Sequence, residues 1–154
     1  MRKGTKMKTY ESQRIEMRIV REPEFNEKLL RVQSSQDAYQ LVKDLQDEAV
    51  EKLVTIFLNA RHDVLALTVL FSGGTTESVV DPKIILKTAL DLGACAFILV
   101  HNHPSGDPLP SVEDRNITKK ISTGAGYLDL RLLDHLVIGF DKYFSMADEG
   151  IMPN

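Results

Sequence analysis

The sequence predicts an α+β domain in which one mixed β-sheet is flanked by helices. Two observations favour this class: apolar, β-branched runs of strand length recur along the chain, and segments with helical spacing alternate with them. The chain has 154 residues, enough for one compact domain with a sizeable core. Hydrophobic residues make up 43% and charged residues 27%, a balance typical of globular proteins rather than disordered chains.

The first half of the chain predicts one helix and two strands. Ser35 is expected to cap a helix that runs to about Ala49, because apolar residues recur there at helical spacing. Strands are expected over Lys52 to Leu58 and over Val64 to Phe71, with a turn between them. Ahead of the helix, Arg14 to Val20 alternates loosely, in the manner of an edge strand.

The second half predicts two more helices and the remaining strands. Asp81 is a favourable cap and Gly93 a helix-stop residue for the first of these helices. The expected elements are a helix from Pro82 to about Leu92, a strand over Ala94 to His101, a helix from Ser111 that ends before Gly124, one or two strands over Leu128 to Ile138, and a last short strand over Lys142 to Met146. A loop with three prolines separates the central strand from the last helix.

Composition excludes several classes of protein. The formal net charge is -3, whereas a dedicated nucleic-acid binder shows a basic excess. The single cysteine, Cys95, excludes an internal disulfide and every zinc site that needs paired cysteines, and we expect it in the core. Met1 to Tyr10 lacks the apolar segment of a signal peptide, and no apolar run is long enough to span a membrane. We therefore expect a cytoplasmic protein.

Two histidines at the end of the central predicted strand indicate a metal site. His101 and His103 are separated by one residue, so that in an extended chain both imidazoles lie on the same face. Pro104 favours an extended backbone at His103, which preserves this arrangement. Neutral imidazoles on one face are typical zinc ligands, although exposed histidines at a loop edge are the simpler interpretation of the pair alone.

A carboxylate at the start of the next helix completes the expected set of ligands. Asp114 lies in the first turn of the helix that Ser111 opens, and the preceding loop is long enough to fold it beside the strand end. Three protein ligands and a water are the pattern of a catalytic zinc site. Ser111-x-x-Asp114 is also the spacing of a capping box, which does not exclude ligation. Asp107 is the rival third ligand, although its neighbours Gly106 and Pro108 are typical of a turn.

The two other histidines have structural interpretations. His135 follows an aspartate in an apolar predicted strand, where we expect a hydrogen-bonded structural role or a contact that orients a metal ligand. His62 lies in a predicted turn and is expected to be exposed.

These residues resemble a known family. His101-x-His103-Pro104 followed by Ser111-x-x-Asp114 is similar to the motif of the JAMM (MPN-type) metalloproteases. Three segments further resemble the RadC branch of that family: Val100 to Pro108 with Pro110-Ser111, Leu133 to Gly139, and Tyr143 to Ser145. The similarity covers roughly Ser35 to Gly150.

The resemblance implies a fold, a cofactor and a set of roles. The fold would be a mixed sheet of the cytidine-deaminase-like kind, and the cofactor one Zn²⁺ held by His101, His103 and Asp114. Glu51, just before an early strand, matches the family glutamate that acts on the metal-bound water, with Glu48 as the fallback. Ser111 matches the serine that helps to hold the oxyanion.

The resemblance also implies a domain organisation. Residues 1–33 would form an N-terminal extension, 34–150 the MPN (JAMM) domain and 151–154 a tail. Many RadC proteins carry an N-terminal helix-hairpin-helix module, for which this chain is too short. It therefore resembles the short RadC proteins that lack the module.

The function that these observations predict is that of a zinc-dependent hydrolase, acting on a peptide or isopeptide bond of a peptide or protein substrate. One alternative is a DNA-repair-associated accessory or DNA-binding protein without peptidase activity. The acidic balance and the missing module argue against it. A second alternative is a binding module that keeps the fold and metal but has lost catalysis, and the complete set of site residues argues against that.

Overall fold

The strands assemble into one mixed sheet with helices on both faces. The computed structural model describes residues 30–72 and 80–154. Their elements are α1 (Ser35–Leu41), a 3₁₀ helix (Lys43–Asp47), β1 (Lys52–Leu58), β2 (Val64–Ser72), α2 (Pro82–Asp91), β3 (Ala96–Asn102), α3 (Val112–Gly126), β4 (Arg131–Ile138) and β5 (Tyr143–Ser145). The sheet has five strands in the order β2-β1-β3-β4-β5, in which only the β3–β4 pair is parallel. The predicted α+β architecture is confirmed.

Alternation along the central strands divides the core into two halves. One side of β1 and β3 packs against α1 and the 3₁₀ helix, and the other side packs against α2 and α3. Leu99 belongs to the second half and Val100 to the first. Because side chains alternate along a strand, His101 continues the side that faces α3, and Asn102 continues the side that faces the 3₁₀ helix. Both are almost fully buried, at 2% and 1% exposure.

The first helix differs from its prediction at both ends. Ser34, not Ser35, is the cap: its hydroxyl accepts from the Asp37 main-chain N–H, and the Asp37 carboxylate accepts from the Ser34 N–H. The Ser35 hydroxyl instead donates to the Asp148 carboxylate and shares a hydrogen bond with the Tyr143 hydroxyl. Both partners lie more than a hundred residues later in the sequence. The α-helix also ends at Leu41 rather than near Ala49, because Val42 leaves the helical region at φ -131°. A 3₁₀ helix continues from there.

The start of β3 places Cys95 differently from its prediction. The strand begins at Ala96 rather than Ala94, and the Cys95 side chain just before it is exposed. Its main chain is paired with Leu58 and Arg131, so the backbone joins the sheet while the thiol lies at its end. The prediction that this cysteine lies in the core is wrong.

The helices of the second half follow their predicted starts. Asp81 caps α2 through the Lys83 N–H, and Gly93 ends the helix with φ +63°. The prediction that α3 ends before Gly124 is wrong, since the helix continues to Gly126. A Cβ on Gly124 would lie 3.0 Å from Leu86 of α2. This glycine therefore permits close packing of two helices instead of stopping one.

Two predictions are not tested by the structure. The edge strand predicted over Arg14 to Val20 lies outside the described residues. The division into 1–33, 34–150 and 151–154 stays a prediction. Within residues 30–72 and 80–154, no helix has both the length and the apolar character needed to cross a bilayer.

Two glycines allow the loop after β3 to pack on the turn between β4 and β5. Gly106 adopts φ +83°, and a Cβ there would lie 2.3 Å from Cδ2 of Phe140. A Cβ on Gly139 would lie 2.3 Å from the Gly106 carbonyl oxygen. The Phe140 N–H donates to that same oxygen at 3.3 Å. This contact fixes the position of the loop that leads from His103 to α3.

We predict that Gly106→Ala destabilises the protein by about 2 kcal/mol or more, because it combines a left-handed backbone with a clash against Phe140. Gly126→Ala is the control, since a Cβ on this last residue of α3 meets nothing within 4 Å. It should be neutral or stabilising by up to about 1 kcal/mol. Urea unfolding of both variants measures the difference, and equal midpoints would show that the loop does not depend on this contact.

Candidate metal centre

The two histidines of the motif converge at the end of β3. His101 pairs with Leu53 of β1 and Val137 of β4, so strands on both sides hold its backbone. His103 follows the strand, and its N–H still donates to the Ile138 carbonyl at 2.9 Å. The extended backbone therefore continues past the strand end. The two Nε2 atoms lie 3.0 Å apart.

Asp114 reaches this pair from the start of α3. Its Oδ1 lies 3.2 Å from Nε2 of His101, and its Oδ2 lies 3.4 Å from Nε2 of His103. The predicted capping box with Ser111 is present: the Ser111 N–H donates to Oδ2 of Asp114 at 2.6 Å, and the Asp114 N–H donates to the Ser111 hydroxyl at 3.0 Å. The carboxylate therefore caps the helix and faces both imidazoles at the same time.

Glu51 lies at the same site, directly before β1. One carboxylate oxygen of Glu51, one oxygen of Asp114 and one ring nitrogen of each histidine all lie within 4.8 Å of one another. Glu51 is exposed, whereas the other three groups are mostly buried. Glu48 is not part of this cluster, and it forms an ion pair with Lys52 at 2.7 Å. Of the two glutamates considered from sequence, the structure brings Glu51 to the histidines.

Asp107, the rival carboxylate, contributes its main chain instead. Its side chain accepts from the Leu109 N–H at 3.1 Å, as expected for a turn. Its carbonyl oxygen lies 2.8 Å from Nδ1 of His103. A carbonyl only accepts, so Nδ1 of His103 carries the proton. A neutral His103 therefore turns the lone pair of Nε2 toward His101 and Asp114.

A second pair of buried side chains lies behind His101. His135 on β4 places Nε2 2.8 Å from Nδ1 of His101, and its own Nδ1 lies 2.6 Å from the hydroxyl of Thr118 on α3. His135 is 1% exposed and Thr118 fully buried. His135 thus contacts a residue of the cluster, one of the two roles considered from sequence. His62, expected to be exposed, is only partly exposed and adopts φ +64° in its turn.

Asn102 fixes the segment that carries Glu51. Its side-chain oxygen accepts from the Lys52 N–H at 2.8 Å, and its amide nitrogen donates to the carbonyls of Val50 at 3.0 Å and Glu48 at 3.4 Å. These groups lie before and after Glu51 in the chain. Sequence reasoning missed this residue. The available signal was an asparagine at the buried end of an apolar strand, where an amide needs partners.

Charge in the site is unequally distributed. Burial acts to raise the pKa of Asp114, but hydrogen bonds from the protonated forms of His101 and His103 outweigh it and hold that pKa well below its usual range. The same contact favours the protonated form of His103 and raises its pKa, against burial and with a smaller contribution from Glu51. Burial lowers the pKa of His135 well below its usual value. The centre thus holds a permanent carboxylate charge beside a neutral, buried imidazole.

The spacing of the donors fits one small divalent cation. Ligand atoms placed tetrahedrally around zinc at about 2.0–2.1 Å lie roughly 3.3 Å from one another. The three separations among His101, His103 and Asp114 are 3.0, 3.2 and 3.4 Å. Imidazole nitrogens with a carboxylate oxygen are also the donor types of catalytic rather than structural zinc sites. The cluster can therefore hold a metal ion.

Fold and site together define an α+β domain with a histidine–carboxylate cluster at one end of its sheet that is able to hold a metal ion. The chain belongs to the RadC-like JAB domain family, whose model matches residues 32–151. The family resemblance stated from the motif is thereby confirmed.

The relatives of the chain are named as UPF0758 proteins. It is 42% identical to a UPF0758 protein of Flavobacterium johnsoniae over 125 residues, which cover 80% of the chain and 55% of the relative. It is 37% identical to the UPF0758 protein YsxA of Bacillus subtilis over 128 residues, covering 82% and 55%. A UPF0758 protein of Methanosarcina mazei is 37% identical over 123 residues, covering 79% and 54%. The chain spans about half the length of these relatives.

We predict that Asn102→Ala lowers the free energy of unfolding by about 1–3 kcal/mol, because the main-chain groups around Glu51 lose their partners. Asn116→Ala is the control: this asparagine is exposed on α3, and its removal should change stability by less than about 0.5 kcal/mol. Urea denaturation followed by circular dichroism compares the two. Asn102→Ala with wild-type stability would mean that this side chain does not hold the segment.

Proposed function

We propose that this chain is a zinc-dependent hydrolase of the JAMM metallopeptidase type, which cleaves a peptide or isopeptide bond. The observation that supports this best is the convergence of two imidazoles and two carboxylates, one of them exposed, at the end of β3. Three buried or half-buried donors leave the fourth position of a tetrahedral site for solvent or substrate. Membership of the RadC-like JAB domain family supports the same reaction class.

His101, His103 and Asp114 hold the metal in this proposal, and Glu51 remains outside the required ligands. Bound zinc would act as a Lewis acid toward the scissile carbonyl and would lower the pKa of water at the site. Glu51 is the general base: its exposed carboxylate takes a proton from the attacking water and returns it to the leaving amine. The place of Glu51 beside the proposed ligands supports this role.

Ser111 stabilises the oxyanion in this proposal. Its hydroxyl oxygen accepts from the Asp114 N–H, so its own proton is free to donate. Because Asp114 is a proposed ligand, the bond joins this hydroxyl to the residue that would hold the metal. A donor in this place stabilises the negative charge that develops on the carbonyl oxygen during attack.

The substrate we propose is a peptide or protein, reached from the solvent side of Glu51. The exposed thiol of Cys95 is consistent with a reducing compartment such as the cytoplasm. None of the contacts at this site favours a DNA-associated accessory protein instead, and the net charge of -3 provides little counterion release on DNA.

We predict one zinc ion per chain in the purified protein, and its loss in His101→Ala, His103→Ala and Asp114→Ala. Asp107→Ala is the control and should retain the metal, because Asp107 reaches the site only through its carbonyl oxygen. Elemental analysis of the four variants and the wild type measures this. Unchanged metal content in all three ligand variants would refute the site, and loss in Asp107→Ala alone would identify the other carboxylate as the ligand.

We predict that Glu51→Gln retains zinc and stability but lowers hydrolysis by about 10² to 10⁴, because glutamine cannot accept the proton. Glu48→Gln is the matched control, since Glu48 pairs with Lys52 and should be dispensable for the reaction. Cleavage of a peptide and isopeptide library, followed by mass spectrometry, reports the rates. Full activity in Glu51→Gln would exclude this base, and inactivity in Glu48→Gln alone would assign the role to Glu48.

A further inference from the structure

We propose that Thr118 and His135 form a hydrogen-bond relay that holds His101 in the tautomer with a proton on Nδ1 and a lone pair on Nε2, facing the metal centre. Thr118 and His135 are positioning residues, because they act on the metal only through His101. The purpose of the relay rests on the proposed function. The relay itself consists of hydrogen bonds within the protein, from the Asp114 main chain through Thr118 and His135 to His101.

The direction of the relay is set at its Thr118 end. The Thr118 hydroxyl lies 2.5 Å from the main-chain carbonyl oxygen of Asp114, one helical turn earlier. A carbonyl oxygen only accepts, so Thr118 commits its single proton to Asp114. The hydroxyl oxygen is then an acceptor for its other neighbour, Nδ1 of His135, at 2.6 Å. Nδ1 of His135 therefore carries a proton.

The same reasoning continues to the metal ligand. A neutral imidazole carries one N–H, so His135 with a proton on Nδ1 has a lone pair on Nε2. This lone pair lies 2.8 Å from Nδ1 of His101, which must be the donor. His101 then has its own lone pair on Nε2, the atom that lies 3.2 Å from Asp114 and 3.0 Å from His103. That nitrogen is ready to bind a cation without losing a proton.

Burial favours this order of donors and acceptors, since the other acceptor near the Thr118 hydroxyl, the Met146 sulfur at 3.8 Å, is a weak one. Thr118 is fully buried and His135 1% exposed, so the chain itself has to pair their polar atoms. Two other threonines make the same bond to a carbonyl one turn back: Thr88 to Ile84 in α2, and Thr123 to Lys119 in α3. Both are exposed. Thr118 differs from them because its oxygen also accepts from an imidazole.

The relay joins two of the proposed ligands by a path inside the protein. It starts on the main chain of Asp114 and ends on the ring of His101, so α3, β4 and β3 orient the site together. If Thr118 could not accept, His135 could turn its proton to Nε2 and donate to His101. His101 would then hold its proton on Nε2, and binding a metal would require a change of tautomer first.

The test compares Thr118→Val, Thr118→Ser and Thr123→Val with the wild type. Valine keeps the shape of threonine and removes the hydroxyl, whereas serine keeps the hydroxyl. Thr123→Val removes an equivalent helical hydrogen bond that has no imidazole partner. Zinc affinity is measured by competition with a chromophoric chelator, and urea unfolding reports whether each variant folds. The tautomer of His101 is measured in the metal-free protein by ¹⁵N NMR, which is feasible because the chain has only four histidines.

We expect Thr118→Val to bind zinc about 10- to 100-fold more weakly, as is typical when the partner of a ligating histidine is lost. Thr118→Ser and Thr123→Val should bind as the wild type does. In wild type and Thr118→Ser, neutral His101 should carry its proton on Nδ1, and in Thr118→Val a fraction should move to Nε2. Agreement of both readouts supports the relay.

Two results would overturn the relay. One is a proton on Nε2 of neutral His101 in the wild type, which remains decisive even if Thr118→Val does not fold. The other is wild-type zinc affinity in a folded Thr118→Val. Failure of the proposed function looks different: the wild type would bind no zinc, while the NMR measurement would still decide the tautomer.

Discussion

The backbone pairing of β3 with β1 on one side and β4 on the other fixes the position of the candidate site. It fixes the backbone of His101 and Asn102 at the end of a buried strand, where alternation sends one side chain toward α3 and the next toward the 3₁₀ helix. The first meets the carboxylate of Asp114, and the second holds the segment around Glu51. One strand end therefore organises both the candidate ligands and the candidate base, from opposite faces of one sheet.

The polar groups around the candidate ligands fix the orientation of the ligand side chains. The carbonyl of Asp107 orients His103, and the serine cap orients Asp114. The resulting cluster concentrates a carboxylate charge among buried or half-buried donors, where electrostatic interactions are stronger than in water. One loop, one helix cap and one strand end each contribute one constraint on this cluster.

Sequence reasoning predicted local features well and distant contacts poorly. β1 has the predicted bounds, and α2 begins at the predicted cap. The apolar pattern of a strand and the cap of a helix depend on residues that are close together in the sequence. Ser34, rather than Ser35, is the cap because Asp37 completes a capping box with it, a local signal that sequence reasoning missed. The contacts of Thr118 and Asn102 were missed because they join residues far apart in the sequence. In sequence each is an ordinary helical threonine or strand-end asparagine, and only the packing of β3 against its neighbours shows what each one touches.

The capping box at the start of α3 has a consequence for how such domains change over time. The Ser111–Asp114 bonds satisfy main-chain N–H groups at the start of α3. The same Asp114 carboxylate faces His101 and His103, so this candidate ligand is also part of the helix cap. Replacement of Asp114 would therefore remove a helix cap as well as a candidate ligand, whereas replacement of His103 would leave the cap in place. Among related domains that lose the candidate site, the aspartate is therefore expected to persist longer than the second histidine.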